Sequence, residues 1–242
     1  MAGLDWLTAR PVAHRGLHDA ASGVIENSAS AFAAAIAGRY AIECDLQMSA
    51  DGEAMVFHDD TLERLTAQHG ELGSLNVTEL KTIDFKGTSD RMLTLGDLCD
   101  LVAGRVPLIL EVKSRFTGDM RLAKRVAAVV QGYAGPVAAM SFDPAVIGGL
   151  QVAAPGLPRG LVAQSRPDPE VRSGNSIRYA LDAMRARPHF LAWSVRDLTS
   201  VWPLLGRWGF GLPLLTWTIR TEAERLRAQR WADQMIFEGF RP

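Results

Sequence analysis

Ala41-Ile42-Glu43-Cys44-Asp45-Leu46-Gln47, followed by Asp51-Gly52 and then by Ala54-Met55-Val56-Phe57-His58-Asp59-Asp60, decides how the chain is read. Residues 41–47 form a strand-like run that carries two carboxylates. Side chains alternate faces along a strand, so Glu43 and Asp45 point the same way while Ile42 and Leu46 mark a buried opposite face. Asp51-Gly52 is a hairpin signal, and residues 54–58 read as a returning strand. The gap between the two runs is about six residues. A parallel crossover needs roughly ten or more. The second strand is therefore an antiparallel excursion, not the next strand of a parallel sheet.

Two neighbouring carboxylates repel unless a proton or a cation lies between them. Hard oxygen ligands suit magnesium or calcium better than zinc. Just upstream, Ala13-His14-Arg15-Gly16 closes a short apolar run. The Arg15 fork fits a pair of phosphate oxygens, and two histidines, His14 and His58, suit base and acid work near neutral pH. Cation, arginine and two histidines together suggest displacement at phosphorus.

Outward from this stretch, strands alternate with helices. Residues 11–14 end a first strand, and Asn27 or Ser28 caps a helix that Gly38 stops. Residues 76–84 read as a short helix, and Thr94 with Asp97 as a capping box for a helix ending at Gly104. Further strands are expected at 106–112, 136–142, 159–163, 190–195, 212–217 and 234–237. Helices are expected at 120–131, from Asp143-Pro144, at 175–187, at 197–208 with an awkward Pro203, and from the Thr221/Glu224 box. Counting residues 41–47 as the second, this makes eight parallel strands. The expectation is an α/β chain, a TIM (β/α)8 barrel with a β-hairpin and short-helix insertion at about 48–104, after strand two. His14, Glu43, Asp45, Glu111, Lys113 and Trp217 then fall at or near C-terminal strand ends, where such barrels build active sites.

The whole chain sets bounds. A length of 242 residues fits one barrel domain over 1–242. The composition is 48% hydrophobic and 22% charged, that of a globular protein, and a formal net charge of −1 leaves no footprint for nucleic acid. No run of eighteen apolar residues exists, so no membrane insertion is expected, and no secretory signal opens the chain. Cys44 and Cys99 show neither disulfide nor metal spacing and read as buried thiols of a cytoplasmic protein.

The residues His14-Arg15-Gly16, Glu26-Asn27-Ser28, Ile42-Glu43-Cys44-Asp45, Asp51-Gly52, His58-Asp59, Arg64-Leu65-Thr66, Glu111-Val112-Lys113, Ser141-Phe142-Asp143 and Trp217-Thr218 together resemble the signature of the glycerophosphodiester phosphodiesterase family. Singly these motifs are weak; as an ordered set across nearly the whole chain they are specific. The resemblance implies metal-dependent cleavage of a small-molecule glycerophosphodiester to sn-glycerol 3-phosphate and an alcohol. It assigns one divalent cation, Mg2+ or Ca2+, to Glu43, Asp45 and Glu111. It gives acid–base work to His14 and His58, and the phosphate to Arg15 and Lys113. His14 as base and His58 as acid is the preferred order, with the attacking group either the neighbouring glycerol hydroxyl or water.

Blander readings stand beside these. Glu111 and Lys113 also make sense as a plain salt bridge, Trp217 as packing as readily as pocket lining, and Phe142 as a pocket wall. His18, His69 and His189 read as structural or surface residues. The chain departs from the family pattern at Ser28, where threonine is usual, at Arg220, where asparagine is common, and in the tail Phe237-Glu238-Gly239-Phe240-Arg241-Pro242, where a Thr-Asp pair often precedes the proline. These positions bear on substrate preference. Two competing functions remain open. A lysophospholipase D-type activity on lipids would need an exposed apolar rim, for which Trp202, Trp208 and Phe210 are candidates unless helix packing explains them. A catalytically silent phosphodiester-binding barrel is the other. Oligomeric state is not legible.

Overall fold

The computed structural model describes residues 3–165 and 177–242, the side chains of 177–180 aside. β1 (Val12–Ala13) and β2 (Ala41–Met48) begin the sheet, and β3 (Ala54–Val56) folds back antiparallel on β2 with Leu46 opposite Val56. Then come β4 (Leu108–Val112), β5 (Val137–Ser141), β6 (Arg159–Ala163), β7 (Phe190–Ser194), β8 (Leu214–Ile219) and β9 (Gln234–Phe237). Each pairs in parallel with the next, β4 pairs with β2, and β1 pairs with both β2 and β9. Eight parallel strands thus close into a TIM barrel, with β3 outside it as the expected hairpin.

Period-two alternation sorts the side chains. Val12, Ala41, Ile109, Ala138, Met140, Val162, Phe190, Ala192, Leu215 and Ile236 fill the barrel interior above Leu7 of α1 (Asp5–Thr8). Their outward neighbours, among them Ile42, Cys44, Leu46, Leu108, Leu110 and Leu214, pack beneath the surrounding helices. Those helices are α2 (Ala29–Ala37), α4 (Leu95–Val102), α5 (Arg121–Val130), α6 (Pro144–Ala153), α7 (Ile177–Arg185), α8 (Val201–Leu204) and α9 (Glu222–Trp231), while α3 (Val77–Leu80) belongs to the insertion. Met55, Phe57, Leu62, Leu72, Leu80, Ile83, Phe85 and Met92 give the insertion a small core of its own. It stands as a packed subunit of structure rather than a slack loop.

Local chemistry accounts for the helix starts. Ser28 accepts from the Ala31 N–H, Asp143 caps α6 ahead of Pro144, and Thr94/Asp97 and Thr221/Glu224 form full capping boxes. Asn76 and Glu79 add one that the sequence reading did not single out, on a helix shorter than the expected 76–84. Two expectations need correction. Gly38 is right-handed, and the left-handed turn that stops α2 falls on Arg39. The expected helix 197–208 is instead a 3-10 turn at Val195–Asp197, then α8, then a π turn at Leu205–Gly209. Pro203 lies in the first turn of α8, where backbone N–H groups have no helical partner to lose. Positions 175 and 176 of the helix expected at 175–187 lie outside the described residues. Among the described residues no helix is long and apolar enough to cross a membrane.

Candidate active site

The alternation that packs the barrel floor also builds its mouth. Two residues beyond Val12 comes His14; beyond Ala41 come Glu43 and Asp45; beyond Ile109 come Glu111 and Lys113; beyond Met140 comes Phe142; beyond Leu215 comes Trp217. The β2–β4 register sets Asp45 directly beside Glu111. Every one of these residues except Asp45 lines a single cavity of about 700 Å³, with His58 of the hairpin arm and Arg15 in the same wall. Asp45 lies beneath it, 1% exposed and paired to Arg15 and Lys113. Every residue nominated from sequence is brought to this one place.

Glu43, Asp45 and Glu111 each offer an oxygen, all within 4.8 Å of one another, in a group that could hold a metal ion. Glu43 is the telling member. One oxygen accepts the Arg15 backbone N–H at 3.0 Å, and the other is buried with no hydrogen-bond partner. Burial, followed by the charges of Asp45 and Glu111, pushes the Glu43 carboxyl well above its ordinary range. An orphaned carboxylate oxygen beside two like charges is what a cation would relieve, so the donor set fits a hard divalent ion. Burial also pushes Asp45 up, but Lys113 and Arg15 outweigh it and hold that carboxyl well below its usual range. Asp45 pairs with Lys113 Nζ at 2.7 Å and with Arg15 Nε at 3.1 Å, and accepts from Asn27 Nδ2 at 2.9 Å. Lys113 also bonds Glu111, so the salt bridge of the blander reading is present alongside the carboxylate grouping.

Backbone geometry lets Arg15 reach both carboxylates. Arg15 is left-handed at φ 55°, and Gly16 follows at φ 80°. A Cβ on Gly16 would meet the Ala31 carbonyl carbon and Cβ at 2.9 Å, so only glycine lets the turn press against α2.

The two histidines are held alike. His58 Nδ1 lies 2.6 Å from Asp59, which Arg64 grips through Nε at 2.6 Å. Arg64 also forks onto Glu26, which in turn accepts from Arg15 at 2.7 Å. His14 Nδ1 lies 2.5 Å from Glu238, and Arg220 Nε donates to the other oxygen of Glu238. In both rings Nδ1 is engaged by a carboxylate; His14 Nε2 lies 3.9 Å from Glu43. Burial lowers the His14 pKa; Glu238 pulls it back up and Arg15 pushes it further down.

Glu238 was read in the sequence only as part of an unusual tail. Its contact with His14 spans 224 positions and arises where β9 closes on β1, so no local signal could have announced it. Asp59, Glu26 and Arg64 stood inside quoted motifs without roles and Asn27 only as a candidate helix cap, a place Ser28 takes; the structure shows all four as the frame around the nominated set. His18, read as structural, has Nε2 3.6 Å from Glu238. Trp217 and Phe142 meet edge to face at 5.5 Å between ring centroids, and Trp217 Nε1 donates to the Ala192 carbonyl at 3.0 Å. Both packing and lining are therefore true of Trp217. Trp202, Trp208 and Phe210 are 57%, 62% and 67% exposed; Trp208 also meets Trp231 of α9 at 6.0 Å between ring centroids, so helix packing accounts for that ring in part.

Comparison with known proteins places this geometry. The profile of the glycerophosphoryl diester phosphodiesterase family matches residues 14–240. A glycerophosphodiester phosphodiesterase of Caldanaerobacter subterraneus is 32% identical over 111 residues, 43% of this chain and 44% of that protein. A Mycobacterium tuberculosis protein named probable glycerophosphodiester phosphodiesterase 1 is 26% identical over 178 residues, 64% of each. The matched segments therefore span about half to two thirds of these relatives. Among solved structures, an Oleispira antarctica phosphodiesterase in complex with the product sn-glycerol-3-phosphate superposes with a TM-score of 0.78 at 20% identity, over 94% of this chain and 92% of that one.

Proposed function

We propose, from the premise that this chain belongs to the glycerophosphoryl diester phosphodiesterase family, that it hydrolyses glycerophosphodiesters to sn-glycerol 3-phosphate and an alcohol. The observation that carries the reading is the buried trio Glu43, Asp45 and Glu111, with its orphaned oxygen, in a mouth shared by His14 and His58. The trio would hold one divalent cation, Mg2+ or Ca2+. Such an ion, when bound, polarises a phosphoryl oxygen and offsets its charge.

The chain's own side chains do the rest. Arg15 and Lys113 bring fixed positive charge to the phosphate. One imidazole takes the proton of the attacking group, the neighbouring glycerol hydroxyl or water, and the other returns a proton to the leaving alkoxide; after attack by the hydroxyl, water opens the cyclic phosphate to glycerol 3-phosphate. We assign His14 as base and His58 as acid. Phe142 and Trp217 form an apolar wall against which the alcohol portion rests. The reading takes the whole chain as one catalytic domain acting on a small molecule, and free buried Cys44 and Cys99 suit a reducing cytoplasm.

The test is glycerol 3-phosphate release from glycerophosphocholine and glycerophosphoethanolamine, with magnesium or calcium and again with chelator. Cation-dependent release is expected. Full activity in chelator refutes the trio as a metal site. His14→Ala and His58→Ala should each lower kcat by about 10² to 10⁴; a loss within a few-fold counts against the pair.

A second reading rests on the exposed Val201, Trp202, Leu205, Trp208 and Phe210. Exposed tryptophan and phenylalanine suit a water–lipid interface, and α8 starts soon after Ser194, Val195 and Arg196 of the cavity wall. A lipid-borne phosphodiester is then the substrate. Turnover of lysophospholipid, with none of the water-soluble diesters, would select this reading. Silence on both, from folded cation-supplied protein, would select a binding barrel.

A further inference from the structure

Two of the positions at which this chain departs from the family pattern are partners. Arg220 and Glu238 lie at the ends of β8 and β9, and Arg220 Nε donates to Glu238 Oε1 at 2.5 Å. The second oxygen, Oε2, faces His14 Nδ1 at 2.5 Å and His18 Nε2 at 3.6 Å. Glu238 is further fixed by its own N–H, which donates to the Ile219 carbonyl at 3.0 Å, while the His14 N–H donates to the Phe237 carbonyl at 2.9 Å. Both ends of the His14–Glu238 contact are thus tied to the sheet where it closes. Arg220 reaches the cavity wall, but Glu238 does not line the cavity.

We infer that Glu238, steadied by Arg220, is a positioning residue for His14. Its Oε2 accepts the Nδ1–H of the ring, which fixes one tautomer and turns the lone pair of Nε2 toward the reacting centre. The inference rests on the proposed role of His14 in proton transfer. The chemistry is the general one of a base oriented by a third group. Asp59, held by Arg64, likewise engages Nδ1 of His58 on the other side of the mouth. Because Glu238 is set back from the cavity, its loss should act on turnover and leave substrate binding nearly untouched.

The experiment combines kinetics with histidine NMR on the full chain. Glu238→Ala should lower kcat by at least about tenfold, the low end of what losing an orienting partner does, with KM changed less than twofold. Glu238→Gln keeps a carbonyl oxygen for Nδ1–H and should recover part of the loss. Long-range 1H–15N spectra of 15N-histidine protein, assigned with His14→Ala, should show His14 in the Nδ1–H form in wild type and mixed tautomers in Glu238→Ala. Wild-type kcat in Glu238→Ala overturns the inference. So does a fall in kcat with the His14 tautomer unchanged, which would mark a structural tail contact. If Glu238→Ala does not fold, Glu238→Gln decides alone: a lower kcat with an altered His14 signal supports the inference, and no change in either overturns it. Should wild type cleave no diester, the reading of the reaction fails, and the spectra still report whether Glu238 holds His14.

Discussion

Replacing Glu43 by glutamine should make the cation-free protein more stable and the cation-supplied protein less so. The trio oxygens lie within 4.8 Å of one another. At an effective dielectric of about 20, two unit charges at that distance repel by roughly 3.5 kcal/mol. Glu43 meets two such neighbours, offset by Arg15, whose backbone N–H it also accepts. Glutamine keeps an acceptor oxygen for that bond and removes the charge. The net gain in chelator is then about 1–3 kcal/mol, or several degrees in Tm at the roughly 2–4 °C per kcal/mol typical of this chain length. In saturating magnesium or calcium that gain is offset or reversed. A cation at a hundred times its Kd stabilises wild type by about 2.7 kcal/mol, and the variant loses a ligand and with it most of that increment. Scanning calorimetry of both proteins in chelator and in each cation reads all four states. A wild-type Tm indifferent to cation, or a Glu43→Gln protein less stable than wild type in chelator, would refute the charge argument.

Other consequences follow from the frame around the trio. Gly16→Ala should destabilise by roughly 2–4 kcal/mol, because the left-handed φ and the 2.9 Å approach to Ala31 act together; chemical denaturation reads it, and a loss under 0.5 kcal/mol contradicts the packing. Burial pushes Glu26 up, but Arg64 and Arg15 outweigh it and hold the carboxyl at about 2. Its folded value lies below its unfolded one, so it contributes about 3 kcal/mol that is present above pH ~4.5 and lost as pH falls toward 2. Glu26→Gln should therefore flatten the fall in urea-unfolding stability between pH 5 and 3, and an unchanged slope would count against the network. Burial pushes the Cys99 thiol up to about 11, and Cys44 well above its ordinary value. Neither should react with a thiol reagent at pH 8 until the protein is unfolded, when both titrate.

The sequence made the barrel legible through period and spacing. Glu43 and Asp45 two apart, and Glu111 and Lys113 two apart, required shared faces, and the short gap before Ala54 required a hairpin. Less legible was what depends on closure. Glu238 meets His14 only because the last strand lies beside the first. Exposure of Trp202, Trp208 and Phe210 was equally hidden, since an aromatic run reads the same whether a helix turns it inward or out. Pro203 looked disruptive because the true helix start, Ser200, carries no side-chain cap to announce it. Arg39 holds the left-handed position, while Gly38 is needed for space instead, since a Cβ there would lie 2.6 Å from the Tyr40 ring.

The mouth divides into two arcs with different freedom to change. His14, Glu43, Asp45, Glu111 and Lys113 come from β1, β2 and β4, three strands adjacent in the closed sheet. Their charges are interlocked: Asp45 pairs with both Lys113 and Arg15, and Lys113 also bonds Glu111, so replacing one member changes the balance of the buried charges around it. Phe142, Gln164, Ser194, Arg196 and Trp217 come from the opposite arc, β5 to β8 and the loops beyond. There the amide nitrogen of Gln164 is buried without a hydrogen-bond partner, and the Phe142–Trp217 pair supplies apolar surface. A substitution on the second arc alters what rests against the wall without disturbing the carboxylate trio. Glu238 and Arg220 sit at the seam where the second arc returns to the first. A change of Arg220 there should reach the substrate through the cavity wall as well as His14 through Glu238, so turnover and specificity vary together at that residue, whereas a change of Glu238 itself should act on turnover alone.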